Sequence, residues 1–245
     1  MRVPVAEGVS LSVDVWPGAG SGFLLVHGLA SNARMWDGVV AELQAAGRPC
    51  ATVDLRGHGQ SDKPDSGYSF EPVVADLVAV VGALGWSQPV AVGQSWGGNV
   101  VVELAYRHPS LVRGIACVDG GDIELWRTFE TWEECARELA PPALAGRPAA
   151  EVEAEVRRRH PDWPETGIAG MMANFEVRDD GTIAPWLTRD RHMQILRSLY
   201  EHRPSALALS VPKVMIPAST VDGGDHDVHA QHPDVVARIL LERFP

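Results

Sequence analysis

Apolar residues fall along the chain in two patterns, and the patterns take turns. Residues 11–16 (Leu-Ser-Val-Asp-Val-Trp) alternate apolar with polar, which predicts an outer strand with one wet face. After a turn over 17–22, residues 23–26 (Phe-Leu-Leu-Val) are continuously apolar, the pattern of a central parallel strand. Met35, Trp36, Val39, Val40 and Leu43 then recur at helical spacing, with Ser31 or Asn32 as N-cap and Gly47 as terminator. A strand at 50–53, a helix at 73–84 closed by Gly85, a strand at 90–92, a helix from Asn99 and a strand at 112–118 continue the series. Strand and helix in alternation predict an α/β fold, a doubly wound and mostly parallel sheet.

From about Asp122 to Pro204 the texture changes. Strand-like runs nearly vanish, and four of the eight tryptophans, Trp126, Trp132, Trp163 and Trp186, lie here. Residues 149–159 follow a proline and carry Glu153/Arg157 and Glu155/Arg159 at i,i+4, which predicts a solvated surface helix. The whole stretch reads as a helical cap (122–204) inserted into a core made of 1–121 and 205–245. The core resumes with a strand at 211–216 and ends in an amphipathic helix over 234–244.

Composition narrows the function. Net charge is −11, and an acidic chain without a basic patch argues against a nucleic-acid partner. No apolar run reaches the ~18 residues of a membrane span, and the N-terminus lacks a signal-peptide core. Cys50, Cys117 and Cys135 are scattered and odd in number, which fits reduced thiols in a cytoplasmic protein.

The sharpest motif is Gly93-Gln94-Ser95-Trp96-Gly97, between the 90–92 strand and a helix. G-x-S-x-G in that context places a serine on a strained strand-to-helix turn, with the glycines making room for close neighbours. A serine hydroxyl there is a candidate nucleophile, and it needs an adjacent base to attack a carbonyl.

Three further motifs stand in order around it: His27-Gly28; D-x-R-G-x-G-x-S-D from Asp54 to Asp62; and Gly-Asp-His226-Asp-Val-His-Ala-Gln-His-Pro233. Together they resemble the α/β-hydrolase fold superfamily, in its capped esterase and C–C hydrolase-like branch, from about residue 10 to 244. The resemblance implies Ser95 as nucleophile, His226 as base, and the backbone N–H groups of Leu29 and Trp96 as an oxyanion hole. His229 and His232 are alternative histidines, and His226, Asp227, His229 and His232 could instead form a metal cluster. Arg56 and His58 read as loop scaffolding. His27 reads as a loop-holding residue or a pocket residue, and Trp126, Trp132 and Trp186 are further pocket candidates.

The acid departs from the usual pattern of the family, which places it after the strand ending near Ile216. That position holds none here. Some relatives, including a branch of the haloalkane dehalogenases, carry it after the strand preceding the cap, where Asp119 stands; Asp222 and Asp225 are the alternatives. Between Ile216 and His226 only ten residues remain, too few for a crossover and a further parallel strand. Either that strand is missing, or a stretch between Pro217 and Asp222 lies outside the sequence; the second is preferred.

The expected function is a cofactor-free, metal-free serine hydrolase acting on a small, largely apolar ester or related acyl substrate through an acyl-enzyme. C–C bond hydrolysis or lyase chemistry on the same fold, and a low-turnover binding or sensor protein, are the rival readings. Serine at position 95 argues against dehalogenase and epoxide hydrolase chemistry, which use an aspartate nucleophile.

Overall fold

A computed structural model describes residues 1–245. The chain opens on an antiparallel pair, β1 (Arg2–Ala6) and β2 (Val9–Trp16), turned at Gly8. Next come β3 (Phe23–Val26), α1 (Asp37–Ala45), β4 (Cys50–Val53), α2 (Phe70–Leu84), β5 (Val90–Gln94), α3 (Trp96–Arg107) and β6 (Gly114–Val118). Residues 122–204 contribute α4 (Leu125–Thr128), α5 (Trp132–Glu138), α6 (Ala149–Arg159), α7 (Glu165–Met172), β7 (Phe175–Val177), β8 (Ile183–Pro185) and α8 (Arg189–Glu201). The chain closes with β9 (Lys213–Ile216), α9 (Val228–Gln231) and α10 (Pro233–Arg243).

Seven strands make one sheet in the order β1-β2-β4-β3-β5-β6-β9. The β1–β2 and β2–β4 pairs are antiparallel, and every pair from β4 to β9 is parallel. Side chains alternate between the faces. Leu24 and Val26 join a core with α2 and α3, while Phe23 and Leu25 join one with α1 and α10. Central strands are therefore buried at every position and almost wholly apolar, Thr52 and Gln94 excepted, and each fully buried Val, Leu or Phe contributes roughly 1.5–3 kcal/mol.

Three features depart from the sequence reading. β2 is not outermost: β1 pairs outside it, with Pro4 accommodated near the sheet edge. The insertion is not purely helical. Its hairpin β7–β8 turns at Asp180-Gly181, with Arg178 N–H donating to Thr182 O at 2.8 Å; Asp-Gly is a hairpin signal in its own right.

The third concerns 216–226, where no hidden stretch separates β9 from the histidine. Ala218–Thr220 forms a 3-10 turn, Thr220 N–H donates to Pro217 O at 2.9 Å, and Gly224 N–H donates to Val221 O at 3.0 Å. The chain winds turn on turn, so no strand follows β9 and the sheet ends there. That edge is short, starts at Lys213, and is flanked by Pro212 and Pro217, all features that blunt unwanted strand pairing. No helix is long and apolar enough to cross a membrane.

Candidate active site

Ser95 joins β5 to α3 at φ 51° and ψ −123°, a region that costs a non-glycine residue about 1–3 kcal/mol. The surroundings enforce it. Ser95 N–H donates to Val118 O at 3.0 Å, and Gly98 N–H to Ser95 O at 2.9 Å. A Cβ on Gly93 would strike the Gly97 carbonyl, and one on Gly97 would strike the His27 carbonyl, so both motif glycines answer to close backbone approach. Ala30 (φ 55°) and Asp119 (φ 42°) are strained in the same sense. Three of the four non-glycine residues at positive φ thus lie in loops at the carboxyl ends of β3, β5 and β6.

The loop after β3 is pinned against Ser95. A Cβ on Gly28 would lie 3.1 Å from Ser95 Cβ. His27 Nδ1 donates to Gly28 O at 2.7 Å, and its Nε2 accepts from Leu55 N–H at 3.0 Å. This pattern needs a neutral ring, and burial pushes the His27 pKa down to about 4. Asp54 takes Ala33 N–H on one oxygen and Gln60 N–H on the other, both at 2.8 Å. Arg56 binds Asp76 on α2 at 2.6 and 2.7 Å, and His58 Nδ1 donates to Arg56 O at 2.9 Å. Arg56 and His58 brace the loop, as expected, and so does His27. Leu29 N–H donates to no group of the chain, while Trp96 heads α3, where amide dipoles favour negative charge.

His226 Nδ1 lies 2.6 Å from Asp119 Oδ2, and Asp119 Oδ1 accepts from Ala218 N–H at 2.9 Å. The Nε2 of His226 makes no hydrogen bond within the chain. Gln94, beside Ser95, donates from its side chain to His226 O at 3.0 Å and holds the histidine loop to the serine turn. No hydrogen bond joins Ser95 Oγ to His226 here; such contacts tighten in the substrate complex.

The alternative acids are engaged elsewhere or exposed. Asp225 Oδ2 accepts from Trp163 Nε1 at 2.8 Å and from His160 at 3.2 Å, and Asp222 faces solvent. His229 is buried against Trp36 with ring centroids 4.4 Å apart, and burial pushes its pKa down to about 3. With His226 turned to Asp119 and His229 turned inward, the four residues of the proposed metal cluster do not converge.

A cavity of about 550 Å³ lies between the insertion and the loops after β3 and β4. Ala30, Ser31, His58 and Gly59 form its core side, and Pro141, Leu144, Met171, Phe175, Trp186 and Leu187 form much of its apolar side. The insertion therefore covers the loops at the carboxyl ends of β3 and β4. Of the pocket candidates, Trp186 is on this wall, with Lys63 Nζ 4.8 Å from its ring centroid. Trp126 is instead sandwiched by Arg127 and Arg203, and Trp132 packs on Tyr200 and Arg197. His27 is behind the loop. Tryptophans of an insertion serve its own packing as readily as a pocket, and spacing does not separate the two uses.

Sequence reading missed Gln94 and the Trp163–Asp225 link. Gln94 sits within the serine motif, at a position where the motif accepts any residue. Trp163 and Asp225 are 62 residues apart, and nothing local joins them.

A model of the alpha/beta hydrolase fold matches residues 23–162. An uncharacterised protein of Mycobacterium tuberculosis is 37% identical over 106 residues, 43% of this chain and 31% of that protein. The chain thus matches about a third of the length of such curated relatives. The 2-(acetamidomethylene)succinate hydrolase of Mesorhizobium japonicum is 26% identical over 250 residues, covering 91% of this chain and 87% of that one. Among solved structures, a thioesterase domain from the curacin biosynthetic pathway superposes with a TM-score of 0.79 at 16% identity, covering 98% of this chain and 99% of the other.

Proposed function

The chain belongs to the α/β-hydrolase fold family, and on that footing we propose that it is a serine hydrolase cleaving a small, largely apolar ester or related acyl substrate. The observation that carries this reading is the 2.6 Å His226–Asp119 bond beside a serine held at φ 51°. Ser95 Oγ attacks the acyl carbon while His226 Nε2 takes its proton. Asp119 orients the imidazole and stabilises the imidazolium. The oxyanion points to the Leu29 and Trp96 N–H groups, an arrangement whose donors are each worth about 10²–10³ in rate. The imidazolium protonates the leaving group, and water activated by His226 then cleaves the acyl-enzyme.

The apolar wall of the neighbouring cavity supports a largely apolar acyl group. Similarity to proteins named as a hydrolase and a thioesterase supports acyl chemistry. Cys50 and Cys117 are pushed up to about 11 and about 12 by burial, so neither thiol competes as nucleophile. All three cysteines are unpaired, which fits work in the cytoplasm.

The test is covalent. A neutral p-nitrophenyl alkylphosphonate should add its phosphonyl mass to the Ser95 peptide and abolish turnover of p-nitrophenyl butyrate. Ser95→Ala should lose activity by a factor on the order of 10⁴ or more while keeping its fold. Labelling at another residue, or near-normal activity of Ser95→Ala, would overturn the reading.

A further inference from the structure

The cavity under the insertion, which starts at Ala30 next to Leu29 and at His58 stacked on Trp96, carries charge of one sign. Arg178 and Arg189 are the charged residues on its wall, and no carboxylate lines it. This is unexpected in a chain with 32 acidic and 21 basic residues. Most arginines of the insertion are ion-paired: Arg127, Arg137, Arg147, Arg157, Arg159, Arg191 and Arg197 each hold a carboxylate. Four hold none, Arg158, Arg178, Arg189 and Arg203, and of these the exposed Arg178 and Arg189 line the cavity.

Arg189 also sits where helix electrostatics oppose it. It is the first residue of the 13-residue α8, and a cation at a helix N-terminus meets the positive end of the dipole. The Thr188 side chain does not cap this end, so first-turn amides remain open. Thr188, Arg189 and His192 all line the cavity, whereas Asp190, the acid of that first turn, does not. An anion seated there would turn both penalties into attractions.

Three polar side chains with an unpartnered atom also border the cavity. Ser31 Oγ, His58 Nε2 and His192 Nδ1 are buried without hydrogen-bond partners, and all three residues border it. His58 and His192 are 1% and 8% exposed. Buried polar atoms are normally paired, and a guest reaches these three only once their side chains turn toward the cavity.

We propose that this cavity receives the acyl half of the substrate and that the acyl chain ends in a carboxylate, bound by Arg178, Arg189 and the open N-terminus of α8. The hydrolysed bond is then that of a dicarboxylic acid half-ester or a related half-acyl compound: an apolar chain between a scissile carbonyl and an anion. The inference rests on the serine-hydrolase reading above and names its substrate class.

The experiment compares kcat/KM for isosteric pairs on the full chain. Mono-p-nitrophenyl adipate, suberate and sebacate are set against p-nitrophenyl 6-methylheptanoate, 8-methylnonanoate and 10-methylundecanoate, in which an isopropyl group replaces the carboxylate. At least one chain length should favour the carboxylate by about tenfold or more, and about 0.5 M NaCl should shrink that preference because the arginines are exposed. Arg178→Ala and Arg189→Ala should each pull the ratio toward one, and Arg189→Glu should invert it. Ratios at or below one for all three pairs overturn the inference. If Ser95 is then labelled by the phosphonate and the branched esters are hydrolysed, the hydrolase reading stands and only the carboxylate assignment falls. If Ser95 is not labelled and no ester turns over, the hydrolase reading fails and takes this inference with it.

Discussion

Asp119 reaches His226 across 107 residues of sequence, with Oδ2 2.6 Å from Nδ1. Its other oxygen accepts from Ala218 N–H at 2.9 Å, so one carboxylate both orients the imidazole and ties down the turn after β9. The acid stands at the end of β6, ahead of the insertion, and the short path from Ile216 to His226 needs no acid of its own.

Asp119→Asn should therefore lower kcat by about 10²–10⁴-fold, because the amide no longer selects the Nδ1–H tautomer or stabilises the imidazolium. Asp225→Asn, which leaves the Asp119–His226 bond intact, should cost less than about tenfold. Steady-state kinetics on p-nitrophenyl butyrate decide between them. If the two effects are reversed, Asp119 is not the orienting acid.

Gly28→Ala places a methyl group against Gln94 and 3.1 Å from Ser95 Cβ. Gln94 is buried and tied to His226 O, so the loop carrying Leu29 N–H should retreat, and misplacing one donor of the proposed oxyanion hole loses on the order of 10²-fold in kcat. KM should change much less. A variant with wild-type kcat would remove Leu29 from the oxyanion hole.

Stability should fall in acid. Burial pushes His27 down to about 4, and His58 and His229 to about 3. In the unfolded chain each takes a proton near 6.5. Between about pH 6.5 and 4 the unfolded state thus binds up to three more protons than the folded one, and stability drops as pH falls. The slope is about 1.4 kcal/mol per pH unit for each histidine. Urea midpoints at pH 7.5, 6 and 5 would show it, and His229→Leu should remove about one proton from the slope. A flat profile would mean that these rings titrate normally.

The parallel core was legible because the strands from 23–26 to 211–216 are short, mostly apolar stretches separated by helical patterns and turn signals, even where Arg113 or Pro212 and Lys213 interrupt them. Ser95, His226 and Asp119 were legible because strand ends in this fold face one site, so motif order substitutes for distance. β1 was not, since Pro4 breaks its pattern. Nor was the pocket wall: no spacing rule separates Trp186 from Trp132, and it is the packing of α5 on α8 that sets Trp132 against Tyr200. Arg178 and Arg189 look like ordinary surface charges until their missing partners are counted.

A short loop holds His226, the base of the proposed triad, through the residue before it. Asp225, directly before His226, is fastened from the insertion side by Trp163 Nε1 at 2.8 Å and His160 Nδ1 at 3.2 Å. It is fastened from its own side as well: its N–H donates to Gln231 Oε1, and its Oδ1 accepts from Asp227 N–H, both at 2.8 Å. Trp163 is itself buried in a small apolar cluster with Met35, Ile168 and Ala230. Trp163→Phe keeps that packing and deletes the shorter of the two insertion-side bonds to Asp225, leaving the 3.2 Å His160 contact. A hydrogen bond to a charged acceptor is worth about 1.5–3 kcal/mol, enough to loosen the loop without unfolding the protein. Displacement of a reacting group by even 1 Å can cost about 10²-fold, and partial loosening should lower kcat by roughly 3–10-fold with KM nearly unchanged. Hydrogen exchange over 222–231 should quicken while the central strands stay protected. Unchanged exchange and unchanged kcat would show that the loop's own turns suffice to hold His226.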